Sequence, residues 1–547
     1  MDVTRRTFVS VSAAAAALGT SFSPAWSAAS HALPPASRGI RVIENQWIAM
    51  PDGKRLAARI FLPEDAVSDP VGAVLEYIPY KKRTAYRLFD DATAAWLVPR
   101  GFAYIRVDVR GTGESDGLIQ NEYALPEQRD AEPLIESIAK QPWCNGNVGM
   151  RGISYGSITS IQAASKGIEP LKAIIPCVGT DNGYTDDVHT IDGCVINEKV
   201  IWGSMWKATM IDPPDPALVG GDWKSIWLNR LEAQIPLVTE WMRHQLVDQY
   251  WTDRIVTDFS SIKCGVYVLG GLMDSYIDTV PRLLENLNCP RKGIVGPWGH
   301  DFPHEGIPGP QLDWIGEEVR WWDYWLNDND NGIMDEPMLH SFIADEHPTR
   351  HFPENPSGRW VSEPSWPSPN VAETTLFASS QSRLSTATGD SGAVGVPADV
   401  TIGTCIPSLS PYDMYDHAPV EQTPDDNRSL VFETEPLIDD LELLGQANLE
   451  FSFTSNRPVA KLAARLNEVT ADGQSWLVSY GASNLSHEKN HTEIRVLEQG
   501  GQYKGKLQFH FSARRFRKGS RFRISLSQAQ WPILWPTPEL VDLNLLR

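Results

Sequence analysis

Two Gly-x-Ser-x-Gly strings stand in the sequence, Gly113-Glu114-Ser115-Asp116-Gly117 and Gly152-Ile153-Ser154-Tyr155-Gly156. Such a string presents a serine hydroxyl as a nucleophile only on a sharp strand-to-helix turn, where small flanking residues let the chain bend and the helix pack closely. The second string meets that requirement. An apolar run at 148–153 precedes it, and Gly156, Ser157, Ala163 and Ala164 give the following segment a small face. Ser115 instead precedes Asp116, whose charge would oppose a developing oxyanion, so it reads as a loop residue. Ser154 is the candidate nucleophile, with an ordinary helix-start serine as the alternative.

A serine hydroxyl attacks a carbonyl once a base takes its proton, and in this strand-turn-helix setting an Asp or Glu and then a His should follow in the chain. Asp274 follows the apolar run 266–271, and His300 follows the run 293–299. Both stand where strands end, which is where doubly wound sheets place ligands. Asp278 and His304 are rivals, each farther from its strand. Asp181, Asp186, Asp187 and His189 could form a metal cluster or hold a substrate ammonium group, but a solvated or structural acidic loop is the default reading. Residues 327–332 resemble a calcium loop. Its twelfth position would be Met338, where a bidentate Glu is required, so a solvated turn is expected.

The elements that must position these groups are legible in outline. At 547 residues the chain exceeds what one core supports, since single cores stop growing at about 250 to 300 residues. With 42% hydrophobic and 21% charged residues, 41 Gly and 40 Pro, it is globular and turn-rich, not collagenous, coiled-coil or disordered. A net charge of −21 argues against a nucleic-acid partner. Residues 40–50 and 55–63 read as a hairpin around Pro51-Asp52-Gly53. Buried strands are expected at 71–78, 102–109, 148–153, 171–176, 266–270 and 293–295, with helices at 126–140, 156–166, 279–287 and 317–326. This β-α-β alternation predicts an α/β fold with a mostly parallel, doubly wound sheet over 38–180 and 260–336. Residues 181–259, with Trp, Met and Leu at helical spacing, read as a helical cap. From 337 to 547, short alternating segments such as 449–454, 475–480 and 508–512 predict a β-sandwich.

The first thirty residues carry Arg5 and Arg6, then an apolar run at 9–18 that is too short to span a bilayer. The order resembles a bacterial twin-arginine signal over residues 1–29, with Ser27, Ala28 and Ala29 at a cleavage site. It predicts a periplasmic or secreted enzyme, the twin-arginine translocase as a partner during export, and no stable membrane anchor. Cys144, Cys177, Cys194, Cys264, Cys289 and Cys405 contain no C-x-x-C pair. Export would permit a disulfide, and Cys177 with Cys194 is the nearest pair along the chain, although buried free thiols are the more common state.

Six strings in order resemble one family over almost the whole chain. They are Met50-Pro51-Asp52-Gly53, Tyr77-Ile78-Pro79-Tyr80, Asp108-Val109-Arg110-Gly111-Thr112-Gly113, Trp143-Cys144-Asn145-Gly146, Gly270-Gly271-Leu272-Met273-Asp274 and Gly296-Pro297-Trp298-Gly299-His300. They look like the CocE/NonD serine hydrolases, which include cocaine esterase, α-amino-acid ester hydrolases and X-Pro dipeptidyl-peptidases. Gln530-Trp531-Pro532 and Leu534-Trp535-Pro536 resemble the family's C-terminal jelly-roll strand. The resemblance implies an α/β-hydrolase domain with a helical cap and a jelly-roll, no cofactor, and a small ester, amide or short peptide as substrate. It puts the triad on Ser154, Asp274 and His300, and the oxyanion donors on the Tyr155 backbone N–H and the Tyr80 hydroxyl. Leu272 and Met273 stand where many relatives carry an aromatic, so substrate preference does not carry over. An X-Pro dipeptidyl-peptidase and an inactive exported binding protein with a jelly-roll are the alternatives; no triad member is missing.

Overall fold

The computed structural model describes residues 10–16, 33–119, 121–347, 354–387, 392–405, 421–488 and 490–546. Runs such as Val71–Ile78, Phe102–Asp108 and Leu171–Cys177 are apolar or β-branched without alternation, and they form strands buried on both faces. They lie in one central sheet. Its order is Ile40–Ala49, Arg55–Pro63, Phe102–Asp108, Val71–Ile78, Cys144–Ile153, Leu171–Cys177, Gly265–Gly271, Arg291–Gly296, Leu339–Ala344, Gly358–Glu363. The strands from Phe102–Asp108 to Leu339–Ala344 run parallel, and both ends of the sheet are antiparallel.

Helices cover both faces, because each parallel crossover must pass over the sheet. Leu125–Ala139, Tyr155–Ala164 and Thr279–Asn286 pack Leu134, Ile161 and Leu283 into the core on one face. Tyr86–Leu97 and Trp314–Asn327 pack Leu97, Trp321 and Trp322 on the other. The helix Trp314–Asn327 is closed by Asp328 in the left-handed region.

Residues 198–252 hold the helices Glu198–Met210, Trp223–Ala233, Leu237–Arg243 and Gln249–Thr252 with shorter turns between them. The helices Trp223–Ala233 and Leu237–Arg243 are separated at Pro236, which has no amide hydrogen and disfavours helical geometry in Ile235.

The β-sandwich buries Leu462, Leu466, Ile524 and Leu526 of one sheet against Phe451, Phe453 and Leu545 of the other. The first sheet runs Leu430–Glu433, Arg521–Ser527, Lys461–Val469, Ser475–Asn484, all antiparallel. Its partner includes Leu543–Leu546, Asn448–Ser455 and Tyr503–Gln508. The stretch from residue 337, read as sandwich, opens with two strands that pair with the α/β sheet. Leu339–Ala344 and Gly358–Glu363 complete the edge of the α/β sheet, a pairing to residues 293–295 that local pattern does not encode.

Asp278 fastens the two domains: it accepts from His510 Nδ1 at 2.8 Å, Phe511 N at 2.7 Å and Gln446 Nε2 at 2.9 Å. Cys177 and Cys194 are both free thiols, buried in different cores, so the disulfide that export would permit is not formed. Ser10–Ala16, within the expected leader, pairs antiparallel with Val371–Ala378. Arg5, Arg6 and the cleavage residues 27–29 lie outside the described residues. No described helix is long and apolar enough to cross a membrane.

Candidate active site

Ser154 sits between the strand Cys144–Ile153 and the helix Tyr155–Ala164 with φ 57° and ψ −116°. A side chain is strained there, and it persists because the surrounding chain over-determines it. The Ser154 amide donates to Cys177 O at 3.0 Å. A Cβ on Gly152 would lie 2.5 Å from Gly156 Cα, so only glycine at 152 lets the helix start close against the strand end, and a Cβ on Gly156 would press on Ile78 Cγ2 at 3.1 Å. Tyr155 begins the helix, and a first-turn amide has no intrahelical acceptor. It is free to serve a ligand.

The Asp and His loops are pressed together at their strand ends. A Cβ on Gly271 would meet Trp298 O at 2.3 Å, and Met273 N donates to that same oxygen at 2.9 Å. This contact aligns Asp274 with His300. Asp274, 1% exposed, accepts Tyr276 N on Oδ1 at 2.8 Å and His300 Nδ1 on Oδ2 at 2.6 Å. A carboxylate accepts only, so Nδ1 carries the hydrogen and Nε2 presents its lone pair. Burial pushes the His300 pKa down, but the Asp274 charge and hydrogen bond outweigh it and raise it above the ordinary histidine value.

Ser154, His300 and Tyr80 line one cavity of about 980 Å³. The Tyr80 ring stacks on Tyr86 at 4.9 Å, and its hydroxyl makes no hydrogen bond among the described residues. Burial pushes its pKa well up, so it stays a protonated donor. Tyr155 divides its labour. Its hydroxyl donates to Glu127 Oε2 at 2.8 Å and accepts from Tyr123 N at 3.1 Å, while its ring stacks on Trp206 of the helix Glu198–Met210 at 5.5 Å. The side chain is thus anchored away from the cavity, and only the backbone is left for it.

The other candidates are occupied elsewhere. Ser115 Oγ donates to Asp108 O at 2.7 Å and accepts from Ala57 N at 2.9 Å, a buried structural role. Asp278 is the domain fastener, and His304 lines the cavity with its pKa lowered by burial to about 4. Asp181 and Asp186 both pair with Arg282, at 2.6 and 2.5 Å. Asp187 accepts from Tyr276 Oη at 2.5 Å and Val188 N at 2.8 Å. Glu122, Asp187 and His189 bring ligand atoms within 4.8 Å of one another. His189 Nε2 lies 2.6 Å from Glu122, which also accepts from Trp202 Nε1 at 2.7 Å, while Asp187 Oδ2 and His189 Nδ1 are buried with no hydrogen-bond partner among the described residues.

Sequence reasoning missed Tyr276, which bonds both Asp274 and Asp187 and lines the cavity. No motif flags it, because Asp187 is distant in the chain.

This fold and this cavity are those of an α/β-hydrolase with a β-sandwich appended. The family model for X-Pro dipeptidyl-peptidases of the S15 family matches residues 52–301, and that for the X-Pro dipeptidyl-peptidase C-terminal non-catalytic domain matches 331–546. Cocaine esterase of a Rhodococcus species is 24% identical over 546 aligned residues, covering 90% of this chain and 91% of that one. Among solved structures, a CocE/NonD family hydrolase from Staphylococcus aureus matches with a TM-score of 0.71 at 17% identity, over 95% of this chain and 97% of that one. An aminopeptidase from a marine-sediment Thaumarchaeota archaeon matches with a TM-score of 0.70 at 16% identity, over 97% and 98%. The chain belongs to the CocE/NonD serine hydrolases, and it is a serine hydrolase of ester or amide bonds.

Proposed function

We propose that Ser154, His300 and Asp274 form the catalytic triad of an exported esterase. The observation that carries this reading is a strained serine and an Asp-bonded histidine on the wall of the same cavity. In the proposed cycle Ser154 Oγ attacks the substrate carbonyl as His300 Nε2 takes its proton. The oxyanion accepts hydrogen bonds from Tyr80 Oη and Tyr155 N–H, groups that stabilise charge developing only in the transition state. Collapse breaks the acyl–oxygen bond, His300 protonates the departing alcohol, and an acyl-Ser154 remains. Water, deprotonated by His300, then releases the acid and restores the serine. Asp274 holds the ring orientation and stabilises the imidazolium in both halves. Labelling with a fluorophosphonate followed by peptide mapping tests the reading; a modified serine other than Ser154 would end it.

The match to the X-Pro dipeptidyl-peptidase models favours one second reading, release of X-Pro dipeptides from a free N-terminus. A panel of p-nitrophenyl esters beside Gly-Pro and Ala-Pro anilides separates the two. The esterase reading expects the esters to be turned over faster and without any need for a free amine.

Tyr80→Phe removes one donor and keeps the ring stacked on Tyr86. It should lower kcat by about 10² to 10³, or roughly 2.7 to 4 kcal/mol, with KM and melting temperature nearly unchanged. A fall of less than threefold in kcat, with chemistry rate-limiting, would remove Tyr80 from the oxyanion hole.

The periplasmic or secreted location rests on Arg5 and Arg6 ahead of a short apolar run. Replacing both by Lys should leave precursor in the cytoplasm. Mature enzyme reaching the periplasm in a strain without the twin-arginine translocase would show the signal to be something else.

A further inference from the structure

Two helices from distant parts of the chain turn stripes of side chains into the cavity. On Tyr86–Leu97 the buried residues are Asp90, Ala94 and Leu97, and the large side chains Tyr86, Phe89 and Trp96 line the cavity together with Asp90, Thr93 and Leu97. The cavity face overlaps the buried face at Asp90 and Leu97 and extends beyond it through Phe89 and Trp96. On Glu198–Met210 the cavity-lining residues are Glu198, Ile201, Trp202 and Met205, at i, i+3, i+4 and i+7.

The outer members of both stripes are exposed although they are large and apolar: Phe89 is 58% exposed, Met205 54% and Trp96 41%. Scattered exposed apolar residues need no explanation, but a contiguous set rimming a ligand cavity marks a binding surface. The charged floor between the helices is largely self-paired. Arg106 Nη1 lies 3.2 Å from Asp90 and 3.4 Å from Glu76, and Arg151 Nε lies 2.9 Å from Glu318. Glu198 and Asp301 also line the cavity, and their fields reach His300 at the catalytic end. A cavity of about 980 Å³ is at the upper end of the usual small-molecule range and larger than a short acyl group fills.

Resting on the triad reading above, we infer that the trough between these two helices is the binding site for a long or bulky apolar group of the ester substrate. A flexible alkyl or aromatic substituent leaving the carbonyl at Ser154 would run between the stripes, with Phe89, Trp96 and Met205 covering its far end.

The test is kcat/KM for p-nitrophenyl acetate, butyrate, hexanoate and octanoate with the full chain. Burial of a methylene is worth about 0.8 kcal/mol, or roughly fourfold per group, so the hexanoate-to-acetate ratio should exceed about tenfold even with partial burial. Phe89→Ser should lower that ratio by about fivefold or more. Leu88→Ser is the control, because Leu88 is 73% exposed on the same helix and does not line the cavity. A flat or falling chain-length profile in enzyme that a fluorophosphonate labels at Ser154 overturns the trough and leaves the triad standing. Absence of that labelling overturns the triad reading instead. Equal loss of the ratio in Leu88→Ser and Phe89→Ser, or a change in sedimentation in place of the ratio, would also overturn it; the latter would make this face a surface between copies.

Discussion

Ser154→Ala is expected to lower kcat by about 10⁴ to 10⁶ and to abolish fluorophosphonate labelling, because triad members act as a unit. The protein should remain folded. Alanine bears the same Cβ at φ 57° that serine does, so the backbone strain is neither relieved nor increased. Melting temperature within a few degrees of the wild type, together with a lost burst of acyl-enzyme, separates loss of the nucleophile from loss of the fold. Retained labelling in the variant would mean that another serine is acylated, and the cavity would have to be reassigned.

Asp274→Asn should lower kcat by about 10⁴ while preserving shape, since an amide beside Nδ1 favours the wrong imidazole tautomer. The pH profile gives an independent reading. His300 must be neutral to take a proton, so activity is lost as pH falls through its pKa. That pKa is raised in the folded enzyme, and the acid limb of kcat/KM in the wild type should therefore lie above about pH 6.5, the ordinary histidine value. Removing the Asp274 charge leaves burial as the main influence, which depresses the pKa. The acid limb should then move to lower pH even as the plateau falls. A limb that stays in place across pH 5 to 9 would show that His300 is not the group being titrated.

The sheet ends and the order of the reactive groups are local properties of the sequence. Residues 148–153 are apolar and the residues after Ser154 are small, so the strand, the turn and the helix follow from pattern and from glycine geometry. The runs before Asp274 and His300 are likewise visible as buried strands. What these patterns lack is any term for contacts between distant segments. Leu339–Ala344 and Gly358–Glu363 fall in the stretch that reads as sandwich, and only their partners make them part of the α/β sheet.

The same limit governs the side chains. Asp278 as a domain fastener depends on His510 and Phe511, more than two hundred residues away, and the fate of Asp187 depends on Tyr276. Cys177 and Cys194 are near in sequence but end in separate cores. By itself, the sequence determined the chemistry available: a serine on a tight turn and an Asp and a His at strand ends, because those depend on short-range sterics and periodicity. The tertiary structure decided how that chemistry is housed. It fixed the Asp274–His300 bond, turned the Tyr155 side chain onto Glu127, and set the stripe of Tyr86–Leu97 and that of Glu198–Met210 around one cavity. Each of these is a meeting of segments brought together only by burial of a shared core.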